Sequence, residues 1–252
     1  MNAIFIVGTA GSGKSLLTSR LVPWFSDKGA YAVSVNLDPG AVNLPYEPDV
    51  DVRNYIDINT IMESYQLGPN GALILSSDMV ASRLNELQDE LDSLKPDYAI
   101  IDTPGQMELF AYRASGPYIA KNIRCEGKAV VFLFDATLVS TPVNLVSIAL
   151  LAASTQLRLG LPQVPVLSKV DVIGETSKRV LRWSSSSAEL VDTISKEKDS
   201  VGYLLSKGIL IQLVRAGFGY ELIPFSSLTM EGLVELSAAL ARIFKGGEEV
   251  VD

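Results

Sequence analysis

The chain has 252 residues, and 48% are apolar, enough for a substantial folded core rather than a disordered chain. Its net charge of −8 argues against a broad nucleic-acid footprint, which needs a basic face. The lack of histidine excludes His-based catalysis and His–metal sites; the single cysteine, Cys125, excludes an intrachain disulfide framework and fits a reducing cytoplasm.

Ala3 to Val7 reads as a buried strand, too short for the apolar region of a secretory leader. It runs directly into Gly8 to Ser15, GTAGSGKS, which fits G-x-x-x-x-G-K-[ST] without a mismatch. The glycines allow the backbone close to phosphates, and the loop N–H groups and helix N-terminus offer partial positive charge. Gly11, Ser12, Gly13, Lys14, Ser15 and Leu16 are the candidate phosphate-binding residues. Lys14 is expected to reach the β- and γ-phosphates and the Ser15 hydroxyl to ligate Mg²⁺. A chance glycine-rich turn is the bland alternative, and the strand before and helix after argue against it.

Lys14 to Lys28 is the first helix, with Pro23 as a candidate kink. Tyr31 to Asn36 is a second strand, ending in the turn Asp38-Pro39-Gly40. Ala41 to Val52 lacks a period and reads as an ordered loop. Asp57 to Leu67 reads as a short helix broken by Gly68-Pro69-Asn70, and a longer helix is expected from Gly71 to Leu94. That helix carries a leucine seam suited to core packing. Tyr98 to Ile101 is a third strand and Ala129 to Phe134 a fourth. Pro142 to Leu159 is a helix; the apolar stretch Val143 to Leu161 contains Asn144, Gln156 and Arg158, so a buried or interface helix is expected and no membrane span. Val164 to Leu167 is a fifth strand. Glu175 to Gly217 reads as mostly helical, with a loop at Ser184 to Ser187. Tyr220 to Phe225 is a sixth strand, Met230 to Phe244 a last helix, and Gly246 to Asp252 a frayed tail. Strands alternating with helices imply a three-layer α/β fold with a mostly parallel sheet in one domain, and ligands at the strands' carboxyl ends.

Every remaining motif begins at such an end. Asp102 closes an apolar strand and is placed to hold Mg²⁺ through water. Gly105 offers an N–H for a γ-phosphate, and Gln106 and Glu108 follow where nucleotide hydrolases orient water. Asp38 is a candidate metal or water ligand; it and Glu108 could equally be solvated loop acids. In Ser168-Lys169-Val170-Asp171, the Asp171 carboxylate can accept two hydrogen bonds from guanine, and the Lys169 stem can cover the base. The usual first residue of that pattern is asparagine, so Ser168 is a departure with fewer hydrogen-bonding groups. Ser227 and Leu228, after the sixth strand, belong to a second base-contacting loop.

These motifs, with Leu44-Pro45-Tyr46 and Gly68-Pro69-Asn70, make the chain resemble the GPN-loop GTPases, P-loop GTPases of archaea and eukaryotes, over nearly its whole length. The resemblance implies a cytoplasmic homodimer of the compact archaeal type that binds GTP and GDP with Mg²⁺. It implies that Gly68, Pro69 and Asn70 reach into the partner's site, that Gln106 and Glu108 position water, and that Asp38 assists at metal and water. A protein client such as RNA polymerase is an analogy from eukaryotic relatives. Three readings follow: a GTP phosphohydrolase, a nucleotide-dependent switch acting on a client, and a dimeric P-loop ATPase. The last usually carries a second lysine early in the loop, where this chain has Thr9 and Ala10.

Overall fold

The computed structural model describes residues 1–196, 201–216 and 221–245. Among the described residues the strands and α-helices follow one another as β1 (Asn2–Gly8), α1 (Lys14–Asp27), β2 (Ala32–Asn36), β3 (Val50–Asp51), α2 (Ile58–Tyr65), α3 (Pro69–Ser82), α4 (Leu84–Leu94), β4 (Tyr98–Asp102), α5 (Met107–Phe110), α6 (Ser115–Asn122), β5 (Gly127–Asp135), α7 (Pro142–Leu159), β6 (Gln163–Ser168), α8 (Val170–Ile173), α9 (Glu175–Ser185), α10 (Ser187–Lys196), α11 (Val201–Arg215), β7 (Ile223–Pro224) and α12 (Leu233–Phe244). The strands form one sheet in the order β3-β2-β4-β1-β5-β6-β7. Its strand pairings are parallel. All the strands therefore end on the same side, and β1 sits between β4 and β5.

The period of two along β1 sets the layers. Ala3, Phe5 and Val7 join the larger core cluster, with residues from the helices α3 to α7. Ile4 and Ile6 join the opposite cluster with Leu17, Leu21 and Phe25 of α1 and Leu233, Leu236 and Leu240 of α12. Both faces are covered, as an all-parallel sheet requires. α7 is long and apolar enough to cross a membrane by composition alone. Here Leu145, Val146, Ala149, Ala152, Ala153 and Leu159 are buried in the fold, so it serves as a core helix.

Several elements differ from expectation. The helix expected over Gly71 to Leu94 is two helices parted at Arg83, which leaves helical geometry (φ −100°, ψ 11°). The serine hydroxyls of Ser76, Ser77 and Ser82 bond back to preceding carbonyls, and such bonds compete with the helical ladder. Gly68-Pro69-Asn70 does more than break a helix: Gly68 is the N-cap of α3 and Pro69 its first residue, where a missing N–H costs nothing. The left-handed cap of α2 is Gln66. Within the stretch expected to be a loop, Val50 and Asp51 pair with Val35 and Asn36 as an edge strand too short to show a period. The expected serine-run loop reduces to Ser186, between α9 and α10. α1 runs unbroken through Pro23. The sixth expected strand is confined to Ile223–Pro224, Tyr220 lying outside the described residues with the tail from Gly246. α5, α6 and α8 were not foreseen from the sequence; α5 and α8 have four residues each, too few for a helical period.

α6 is pressed onto the segment that follows β4. A Cβ at Gly116 would lie 2.0 Å from the Phe110 carbonyl oxygen, with no soft side chain to yield. Gly116→Ala should lower stability by about 2 kcal/mol or more, against the ~1 kcal/mol gain that alanine brings to an ordinary helix interior. Chemical denaturation of the two proteins checks this sign.

Candidate functional site

The phosphate loop joins β1 to α1. Gly11 (φ 75°) and Gly13 (φ 96°) sit in the left-handed region, and Gly13 caps α1, so the first N–H groups of the helix are left open at its start. Lys14, the first residue of that helix, is only 5% exposed. Its ammonium donates to the carbonyls of Gly8 (3.2 Å), Thr9 (3.1 Å) and Gly105 (3.2 Å). Burial pushes its pKa below the ordinary lysine value, while Asp102 and Asp38 pull it upward. The ammonium therefore sits in a desolvated place where an anion would be strongly favoured.

Asp102 ends β4, in register with Ile6 of β1, and is 1% exposed. Burial raises its carboxyl to about 6, while the neighbouring Ser15 hydroxyl, the Tyr46 phenol and the Lys14 charge draw it down. Tyr46 donates to Oδ2 at 3.0 Å. Oδ1 is buried without a hydrogen-bond partner. An orphaned carboxylate oxygen beside a serine hydroxyl fits a hard divalent cation that completes its shell with phosphate oxygens and water, as Mg²⁺ does. Among the described residues no cluster of three or more acidic or cysteine side chains is placed to hold a metal ion.

Asp38 lies at the exit of β2. Its Oδ1 accepts the Gly40 N–H (2.9 Å) and its Oδ2 the Gly105 N–H (3.0 Å). The expected γ-phosphate donor, Gly105, is thus engaged by Asp38 in this state. Asn36 donates to the Asp38 carbonyl and to Asp51 Oδ1, and Arg53 clamps Asp51 and the Ala41 carbonyl. Gln106 and Glu108 are exposed at the mouth, on a segment anchored from behind by Met107 and Phe110. The Phe110 ring stacks on Phe5 of β1 (6.0 Å), and Arg158 of α7 donates to the carbonyls of Ala111 and Tyr112. Arg113 pairs with Asp78 of α3, tying this segment to that helix. Arg53 and Arg113 are therefore both bound to carboxylates.

Gly68, Pro69 and Asn70 are exposed, and the Asn70 side chain makes no hydrogen bond among the described residues. One turn further, Leu73 packs so closely on Gly40 that a Cβ there would meet it at 2.6 Å.

At the far end of the site, the Val170 N–H reaches the Phe225 carbonyl (3.3 Å), which brings the two expected base loops together. Asp171 and Leu228 are exposed there. The Arg20 side chain of α1 donates to the Ser227 carbonyl (3.0 Å), and Ser226 accepts the Leu228 N–H (3.2 Å). Lys169, in the left-handed region at φ 61°, donates to Asp135 at 2.7 Å. Burial would raise the Asp135 carboxyl, but hydrogen bonds from Lys169 and Thr137 outweigh it and hold it below its usual range. Ser168 is buried, and its hydroxyl donates to the Ser12 carbonyl (2.8 Å). It ties the base end of the site to the phosphate loop.

Sequence reasoning marked Tyr46 only as part of Leu44-Pro45-Tyr46 and gave it no role, and it missed Asp135, Arg20 and the Asn36–Asp51–Arg53 brace. Asp135 carried a usable signal, an acid at the end of an apolar strand like Asp102; the partners of the others are distant in sequence or lie in an aperiodic stretch.

A family model described as "Conserved hypothetical ATP binding protein" matches residues 6–246. A GPN-loop GTPase of Pyrococcus abyssi is 33% identical over 92% of this chain and 93% of its own. GPN-loop GTPase 1 of Schizosaccharomyces pombe is 30% identical over 99% of this chain and 71% of its own. The crystal structure of a GTPase in apo form from Pyrococcus abyssi superposes with a TM-score of 0.85, at 30% identity, covering 96% of this chain and 97% of that one.

Ser168→Ala leaves the Ser12 carbonyl without its donor. It should cost about 1–2 kcal/mol in denaturant titrations and weaken nucleotide binding measured by calorimetry.

Proposed function

The chain belongs to the GPN-loop GTPase family, and from that membership and the site geometry we propose that it is a Mg²⁺-dependent GTP phosphohydrolase working as a homodimer. The observation that carries the reading is the desolvated Lys14 ammonium facing a buried Asp102 whose Oδ1 is unpaired. Both features await a polyanion and its counter-ion. The N–H groups around Gly11 to Leu16 would cradle the phosphates, and Lys14 would exchange its carbonyl partners for β- and γ-oxygens. Mg²⁺, held by Ser15 and, through water, by Asp102, with Asp38 assisting, would neutralise charge on those oxygens. Asp38 would release the Gly105 N–H to the γ-phosphate, and its freed carboxylate would help Gln106 and Glu108 orient the attacking water. The exposed Asn70, unoccupied in its own chain, would reach the partner's phosphates, donating from its amide. Lys169 and Leu228 would flank the base, and Asp171 would accept from guanine. The reaction then needs only positioning and charge stabilisation, with no covalent intermediate.

The matched family description names ATP, so nucleotide choice is the sharpest test of the base loops. GTP should displace a labelled guanine nucleotide at far lower concentration than ATP; equal competition would make this an ATPase. A second reading, a nucleotide-dependent switch for a protein client, draws on the Arg113–Asp78 pair, which links the water-positioning segment to the helix bearing Asn70.

Lys14→Ala should abolish triphosphate binding in the same assay, and retained tight binding would remove the phosphate-loop reading. Asn70→Ala should slow turnover far more than it weakens binding. A mixture of Asn70→Ala and Lys14→Ala subunits should regain activity, because one brings an intact phosphate loop and the other brings Asn70. Heterodimers that form yet stay inactive would contradict completion of the site by the partner.

A further inference from the structure

Tyr46 comes from the part of the site least supported by regular structure. Val42, Asn43, Pro45, Glu47 and Asp49 around it are exposed, whereas its own side chain turns inward. Its phenol donates to Asp102 Oδ2 at 3.0 Å, while Oδ1 has no partner. A carboxylate has a broad, two-fold torsion about its last bond. A donor on one oxygen removes that freedom and commits the other oxygen to one direction. An ordinary phenol keeps its proton at neutral pH, so Tyr46 acts here as a donor.

We infer that Tyr46 is a positioning residue for the cation side of the nucleotide site, orienting Asp102 and coupling the order of the 41–49 segment to the loaded site. The inference rests on the Mg²⁺-dependent reading above. If Tyr46 favours cation binding, linkage requires the bound cation to favour the inward Tyr46 by the same factor. A tyrosine that merely fills space would show neither effect.

The test is release of a fluorescent GDP analogue as a function of Mg²⁺, for the wild type and Tyr46→Phe, which keeps the ring. In EDTA the two should release nucleotide alike. With Mg²⁺ added, Tyr46→Phe should need about tenfold more ion, or beyond, for half-maximal slowing, as expected when a hydrogen bond to a charged group is lost. Superimposed Mg²⁺ curves would overturn the inference, as would an equal loss of binding with and without the ion. Hydrogen exchange on the wild type covers the case in which the variant does not fold. Amides in 41–49 should slow about tenfold when Mg²⁺ is added to nucleotide-saturated protein, and unchanged exchange overturns the coupling. A wild type whose nucleotide release ignores Mg²⁺ would bring down the magnesium-dependent reading and this inference with it.

Discussion

A positive charge held almost out of water organises the site end of this molecule. The Lys14 ammonium is fixed by carbonyls from two separate loops, at Gly8, Thr9 and Gly105. Neutral carbonyls compensate a buried charge only partly, which is why its pKa is depressed. An arriving phosphate would replace them with full negative charge. The binding energy of the site is therefore stored in a group that the empty fold leaves incompletely satisfied.

Keeping that ammonium in place requires the exits of β1, β2 and β4 to be held together. Thr103 donates to the Ile6 carbonyl at 2.7 Å, and Asp38 holds Gly105. Asn36, Asp51 and Arg53 brace the start of the following loop. The segment carrying Gln106 and Glu108 is gripped from three sides, by Phe5, by Arg158 and by Asp78. Gln106 and Glu108 thus stand exposed on a rigidly backed element, the arrangement that precise orientation of a reactant demands. The same backing reaches α3 through Asp78, and Asn70 stands exposed at the N-terminus of that helix.

The base end follows a different economy. Serine in place of the usual asparagine looks like a weakened base contact when read along the chain. In the fold the position faces inward, and its one hydroxyl spans from β6 to the Ser12 carbonyl. The departure changes how the loops are joined: Ser168 serves as a tie between β6 and the phosphate loop.

Much of this was legible in the sequence because its physics is local. A buried strand followed by GTAGSGKS dictates a phosphate loop, since glycine dihedrals and a helix start are properties of adjacent residues. The alternation of strands and helices dictates a parallel sheet, and the acids at strand ends mark the ligand side. The break at Arg83, the edge strand Val50–Asp51 and the short helices α5 and α8 were not legible, because each is too short or too dependent on neighbours to impose a period. Tertiary structure alone decided that Tyr46 meets Asp102 across 56 residues of chain, that Asp38 occupies Gly105, and that Ser168 faces the phosphate loop. Those pairings are set by which strands lie side by side, and strand order is a long-range property that no run of adjacent residues encodes.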